Sequence, residues 1–292
     1  MSKLALLIGI NYIHTPYELS GCINDVIMMR KYLIEKKGYL ENNIVIMRDD
    51  SSNFKTPTRQ NMLDELNSLI ARANANNATE IFFHYSGHGS YLRDQNKGDE
   101  KDGRDECICP VDMNYIIDDT LREIFSKLNS KIVLNCVMDS CFSGTSIDLP
   151  YLYTQKNGKL VLSENNSTKY ASLVGKNIYS ISGCKDNQTS EDAYGVYVPV
   201  GNSNPDFSIT NRNLNGGALT SCLIPLLYSN FAFNNCLFAL QTNMKKKGYT
   251  QIPLLSSSTQ FKSIKTKSTN TIIKNINLKT KDIKKVKLIK NH

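Results

Sequence analysis

Short apolar runs recur along the chain, separated by segments with helical spacing, and that alternation restricts the fold more than any other feature. Residues 4–10, 43–47, 80–85, 131–138 and 177–182 are each only five to eight residues long and rich in Leu, Ile, Val, Phe and Met. Runs of that length read as buried strands and fall far short of a membrane span. Between them, residues 21–37 place Cys22, Val26, Met29 and Leu33 on one helical face, with Arg30, Lys31, Lys36 and Lys37 elsewhere. Thr56-Pro57 reads as an N-cap followed by proline in the first helical position, opening a helix whose face is Met62, Leu66, Leu69 and Ile70, to about Ala73. Asp118-Asp119-Thr120 opens another, to about Leu128, and residues 216–228 (despite Pro225) and 234–247 supply two more, before a short strand at 252–255. Strands alternating with helices predict an α/β fold, a mainly parallel sheet with helices on both faces. Residues 86–106 read as a charged loop. Residues 145–176 read as a long connection broken only at 160–162, and 185–215 as polar chain.

The composition is that of a globular protein: 40% hydrophobic and 21% charged residues over 292 positions. The formal charge of +8 is concentrated at one end, because residues 262–292 carry ten lysines against the single acid Asp282. The remaining body is close to neutral, so nucleic-acid binding is expected, if anywhere, only through a flexible basic tail. Eight cysteines without a CxxC pair fit neither a zinc site nor a secreted disulfide scaffold, and predict reduced thiols in a cytoplasmic setting. The N-terminal Lys3 followed by apolar residues mimics a signal peptide but lacks a small-x-small cleavage site, so a buried strand is expected there.

In parallel sheets, functional loops gather at the carboxyl ends of the strands. That brings together residues 86–88, 139–141 and 182–185. The strand at 131–138 runs into Asp139-Ser140-Cys141-Phe142-Ser143-Gly144, a polar turn that displays a thiol. A thiol becomes a nucleophile only beside a base, and the chain has four histidines, at 14, 84, 88 and 292. His84 falls inside a strand and reads as a core residue. His88 lies just past the same strand, between Gly87 and Gly89, where the ring is free to project. Cys141 and His88 at neighbouring strand ends form the arrangement that acyl transfer needs, and the backbone amides of Gly89 and Cys141 are placed to form an oxyanion hole. Taken alone, Cys141 is also compatible with being one more structural cysteine.

The chain resembles the metacaspases, caspase-like cysteine peptidases. The residues that carry the resemblance are Ala5 to Tyr12, Leu19-Ser20-Gly21-Cys22-Ile23-Asn24-Asp25, His84-Tyr85-Ser86-Gly87-His88-Gly89, Asp139 to Gly144, and Ile181-Ser182-Gly183-Cys184-Lys185-Asp186, with Gln251-Ile252-Pro253 near the end. It covers about residues 3–260. It implies a caspase-like three-layer sandwich in one peptidase domain at 1–261, p20-like to about 150 and p10-like at about 177–261. It further implies peptide-bond hydrolysis with His88 as base and Cys141 as nucleophile. Phe142 departs from the family, which usually carries histidine there. No proline-rich or zinc-finger segment precedes the first strand, and the connection after Asp148 is short, so the resemblance is to a type I member without a prodomain.

By the same resemblance Asp25 and Asp139 line the substrate pocket, with Ser86 and Ser182 in the substrate-binding set. Two carboxylates favour a Lys or Arg side chain and disfavour Asp, so cleavage after basic residues of protein or peptide substrates is expected. Read without the family, Asp139 is a turn residue and Asp25 an ordinary acid near a helix start. Asp105, Asp118, Asp119 and Asp148 match the family's calcium-binding carboxylates, which implies a regulatory Ca²⁺; without the family, acids at 118–119 simply complement a helix dipole. Lys156, Lys159, Lys169 and Lys185 offer sites for self-processing. The family further implies a monomer. A competing expectation is a caspase-like pseudoenzyme serving as a binding module, against which the intact Cys141 and His88 stand.

Overall fold

A computed structural model of the chain describes residues 2–93, 104–141, 147–156, 159–183, 192–193 and 215–261. Phe142, Cys184, Lys185 and the basic tail lie outside the described residues. The first half runs β1 (Lys3–Gly9), α1 (Cys22–Lys37), β2 (Ile44–Arg48), α2 (Arg59–Ala75) and β3 (Glu80–Ser86). A small excursion follows: β4 (Gly89–Arg93), β5 (Arg104–Ile108), β6 (Ile116–Ile117) and then α3 (Asp118–Ser126). The main sheet resumes with β7 (Val133–Asp139), the hairpin β8 (Tyr151–Lys156) and β9 (Lys159–Asn165), and β10 (Asn177–Ser182). After β11 (Asp192–Ala193) and β12 (Gly216–Gly217) come α4 (Ala218–Tyr228), α5 (Leu237–Lys246) and β13 (Leu254–Ser257).

The eight-stranded sheet has the order β2-β1-β3-β7-β10-β13-β8-β9. Its first five strands are parallel, and β13, β8 and β9 join antiparallel at one side. Alternation along β1 explains the layering. Leu4, Leu6 and Ile8 point to one face, where they pack with Met62, Leu66 and Leu69 of α2 and Leu121 and Phe125 of α3. Ala5 and Leu7 point to the other, against Val26, Met29 and Leu33 of α1, Leu219 and Leu223 of α4 and Leu240 of α5. Two-sided burial is what a continuous apolar strand requires, and each fully buried leucine contributes about 1.5–3 kcal/mol. This is the three-layer α/β arrangement expected from the sequence.

Several local expectations change. Thr58, not Thr56, caps α2: its hydroxyl accepts from the Asn61 N–H at 3.4 Å, and Pro57 stands before the helix, its carbonyl accepting from Val111 N–H. Arg30 is buried on α1 because Glu41 meets its guanidinium at 2.7 Å. The expected loop at 86–106 contains β4 and β5, paired antiparallel, with the Arg104 guanidinium 4.1 Å from the centre of the Tyr91 ring. With β6 they form a three-stranded sheet separate from the main one, from which Ile108 and Ile116 pack into the α2–α3 layer. The expected long connection at 145–176 contains the β8–β9 hairpin, in which Tyr151 and Tyr153 are buried and Leu160 and Leu162 pack, partly buried, against the same layer. On β8 the period-two signal is carried by tyrosines among polar residues, which an apolar count misses, and on β9 it is confined to the short run 160–162. Among the described residues no helix is long and apolar enough to cross a membrane.

Candidate active site

The parallel pairing aligns the strand ends: Ser86 of β3 lies beside Asp139 of β7, and Met138 of β7 beside Ser182 of β10. Two further bonds continue this register past the strands, Gly87 N–H to the Asp139 carbonyl (3.3 Å) and Gly183 N–H to the Met138 carbonyl (2.9 Å). His88 and Cys141 therefore follow adjacent strands by two residues each. Their segments are in contact: a β-carbon added to Gly89 would stand 2.0 Å from the Cys141 carbonyl oxygen, so only glycine fits between the two turns. Gly89 and Cys141, the expected oxyanion donors, are thus brought together. Of the seven described cysteines, all reduced, Cys141 alone is not buried. Burial pushes the Cys136 thiol up, and the Cys236 thiol up to about 12, which keeps these core thiols protonated.

The loop between β1 and α1 cradles the imidazole. His88 Nε2 lies 2.8 Å from the Tyr17 carbonyl oxygen. A carbonyl only accepts, so this nitrogen carries the proton and Nδ1 keeps the lone pair. The Tyr12 ring lies 4.6 Å from the His88 ring, tilted by 42°, and Tyr17 meets its edge at 6.4 Å. The chain is pinned as well: His88 N–H donates to the Tyr12 hydroxyl (2.9 Å), and the Tyr85 hydroxyl donates to the His88 carbonyl (2.6 Å).

Asp25 and Asp139 also converge. Asp25 is fully buried; the Ser86 hydroxyl donates to it at 2.6 Å and the Gly217 N–H reaches both of its oxygens at 2.9 and 3.0 Å. Asp139, 3% exposed, accepts the Thr220 N–H at 2.8 Å. Both carboxylates thereby sit at the positive N-terminal end of α4. Gly217 passes so close that a β-carbon there would lie 2.1 Å from Asp139 Oδ2. Ser182 is buried beside them, and Gly183 lies within 3.6 Å of Asp139 Oδ1 by the same measure. His84, the expected core histidine, is fully buried on β3, with Nε2 3.3 Å from the Thr220 hydroxyl. Burial pushes its pKa down to about 3.

On the α3 side, Asp118, Asp119 and Asp148 offer oxygens that all lie within 4.8 Å of one another. Asp118 accepts the Glu106 N–H (3.2 Å), and Arg122 ion-pairs with Asp119 and, at 2.6 Å, with Asp148. Burial works against the Arg122 charge, but the carboxylates of Asp148 and Asp119 outweigh it and raise its pKa. Asp105 is buried on β5 next to Glu106 and stands outside that trio.

The profile of the metacaspase peptidase C14 domain matches residues 3–150. The chain belongs to the metacaspase family. Metacaspase-1 of Schizosaccharomyces pombe is 43% identical over 240 residues, 65% of this chain and 55% of that protein. Metacaspase-1 of Yarrowia lipolytica is 38% identical over 239 residues, 65% of this chain and 50% of that protein. The chain thus spans about half the length of these fungal metacaspases. Metacaspase-2 of Trypanosoma brucei brucei is 36% identical over 270 residues, 87% of this chain and 72% of that one. A Geobacter sulfurreducens protein of known crystal structure shares the fold, with a TM-score of 0.55 at 18% identity, covering 90% of this chain and 95% of that one.

The sequence motifs assign no role to Tyr12, Tyr17, Tyr85 or Gly217, which contact the predicted site residues His88, Asp25 and Asp139. Tyr12 and Tyr85 had a signal, since each sits at or just past the end of a buried strand facing the same turn. Gly217 had none short of the fold.

Proposed function

We propose that this chain is a cysteine endopeptidase that cleaves peptide bonds after Arg or Lys with the dyad His88–Cys141. The observation that carries the reading is the unburied Cys141, packed against Gly89 while its neighbour His88 has Nε2 tied to the Tyr17 carbonyl. His88 Nδ1 takes the Cys141 proton, and the thiolate adds to the scissile carbonyl carbon. The resulting oxyanion is held by the amides of Gly89 and Cys141. The imidazolium then gives its proton to the leaving amine as the C–N bond breaks, leaving a thioester. Water, deprotonated by His88, hydrolyses the thioester and restores the thiol. The basic-residue preference is supported by two adjacent buried carboxylates, Asp25 and Asp139, beside Ser86 and Ser182.

We infer a calcium site at Asp118, Asp119 and Asp148, completed by Asp105. Three carboxylates within ligand distance of one another, two from the first turn of α3 and one from the segment before β8, fit a hard divalent cation. Asp118, Asp119 and Asp148, with Asp105, would hold the ion, which would supply positive charge between β5, the start of α3 and Asp148. The reading also takes the protein as a monomer in a reducing cytoplasm, with Lys156, Lys159, Lys169 or Lys185 as a site for self-cleavage.

The test is hydrolysis of fluorogenic peptides ending in Arg, Lys or Asp, with and without Ca²⁺, using Cys141→Ala as control. Cleavage after Arg and Lys that disappears in the control is the expected result. Asp-selective cleavage overturns the pocket assignment, and no cleavage at all favours a pseudoenzyme. A calcium response that is flat, and unchanged in Asp119→Ala, removes the metal site.

A further inference from the structure

Tyr12 is a strained residue beside the dyad that the mechanism leaves unused. It is 1% exposed and has φ of +51°, a left-handed conformation that is a genuine outlier for a bulky side chain. Such strain costs about 1–3 kcal/mol and persists only where surrounding bonds over-determine it. Here they do. Asp49 accepts the N–H groups on both sides, from Asn11 (2.9 Å) and Ile13 (3.2 Å), and the Tyr12 carbonyl accepts both the N–H (3.1 Å) and the hydroxyl (2.7 Å) of Thr15.

What the strain achieves is the placement of the phenol. The Tyr12 hydroxyl accepts the His88 N–H and donates to the Cys109 carbonyl at 2.5 Å. The Tyr85 hydroxyl stands 3.2 Å away, accepts the Cys109 N–H and donates to the His88 carbonyl. Two phenols thus spend their two protons on two carbonyls and hold the His88 backbone at both ends. They also crowd the turn: a β-carbon on Gly87 would lie 2.8 Å from the Tyr85 oxygen and 3.0 Å from the Tyr12 oxygen. Burial pushes both phenols well above their ordinary range, so both remain neutral donors. The Tyr12 ring, meanwhile, backs the imidazole at 4.6 Å, and an aromatic face favours the cationic ring that forms when Cys141 gives up its proton.

We propose that Tyr12 is a positioning residue for the dyad, its hydroxyl fixing the His88 turn and its ring backing the imidazole, with Tyr85 as its partner. This rests on the reading of His88 as the base. Tyr12→Phe keeps the ring and removes the hydroxyl; kcat falls about ten- to a hundredfold with KM within about twofold, since a small misplacement near the chemistry costs that much. Alkylation of Cys141 by iodoacetamide, which needs no substrate, slows as well. Tyr12→Leu loses the ring too and falls further, and Tyr85→Phe shows a smaller loss of the same kind. The decisive control is active-site titration. If every surviving Tyr12→Phe molecule turns over at the wild-type kcat, the residue is only structural and the proposal fails; a kcat within about twofold of wild type sinks it directly. Should Tyr12→Phe not fold, Tyr85→Phe with wild-type kcat overturns it equally. Wild-type activity in His88→Ala would remove the base assignment and this proposal with it, a result distinguishable from an inactive His88→Ala beside an unaffected Tyr12→Phe.

Discussion

At the scale of single residues, two histidines four positions apart on one strand and its following turn have opposite fates. His88 emerges at the β3 end between two glycines, half-buried, and meets the β1–α1 loop. His84 is enclosed, with Nδ1 lacking a hydrogen-bond partner among the described residues, and stays neutral because burial lowers its pKa to about 3. The unfolded chain takes up that proton below about pH 6.5, so between about pH 6.5 and 3 the unfolded state binds more protons. Stability therefore rises with pH across that window and is lost on acidification, by up to about 1.4 kcal/mol per pH unit from this group. His84→Gln, which retains a group able to bond Thr220, should flatten that part of the profile. Urea unfolding at pH 7.5, 6, 5 and 4 reads the difference, and equal slopes in the two proteins would contradict it. The placement of His88 and Cys141 at neighbouring strand ends was legible in the sequence, because glycines around a histidine and a polar turn after a buried strand leave a pattern. The tyrosines that hold His88 left little, since a phenol facing a turn across 76 residues is a product of topology.

At the scale of elements, the start of α4 holds the two carboxylates of the proposed pocket, Asp25 and Asp139. The Gly217 and Thr220 amides reach into Asp25 and Asp139, so the helix terminus and the two carboxylates satisfy one another. Gly217 has ordinary extended angles, φ −63° and ψ 143°, which alanine adopts freely. Its requirement for glycine is purely steric: the added methyl would stand 2.5 Å from Asp139 Cγ. Gly217→Ala should destabilise the fold by about 1–3 kcal/mol, as overpacking does. It should also lower kcat/KM for Arg and Lys substrates more than it slows iodoacetamide alkylation of Cys141. Equal effects on both measurements would mean that the helix start supports the whole site and not the pocket in particular. Sequence pattern found α4 but not this use of its first turn, and it found every central strand while missing β4, β5, β8 and β9. The central strands are apolar on both faces. Those four are half exposed or carry buried charge, as with Asp105 and Glu106 on β5, so hydrophobicity does not report them.

At the scale of the whole molecule, the two parts expected from the resemblance, about 1–150 and about 177–261, meet in the middle of one sheet, where β7 and β10 pair in parallel over six positions. The apolar layers on either side each draw on both parts: Ile178 joins the α2–α3 layer, and Ala5, Leu7 and Val26 join the α4–α5 layer. A fold assembled this way has no seam along which one part can melt alone, and it should unfold as a single cooperative unit. Leu66→Ala in α2 and Leu223→Ala in α4 probe the opposite layers, both positions being fully buried. Each substitution should cost about 2–5 kcal/mol and shift the same transition. Having no shared partners across the sheet, the pair should add to within about 0.5 kcal/mol. Because the chain has no tryptophan, far-ultraviolet circular dichroism and the exposure of buried thiols to a chromogenic reagent are suitable paired probes. Coincident transitions in all three variants are the expected result. If Leu223→Ala instead releases Cys222 and Cys236 well before the secondary structure is lost, α4 and α5 form a separable layer. Asp25 and Asp139, the carboxylates of the proposed pocket, would then be free to leave the start of α4 without unfolding the strand ends that carry His88 and Cys141.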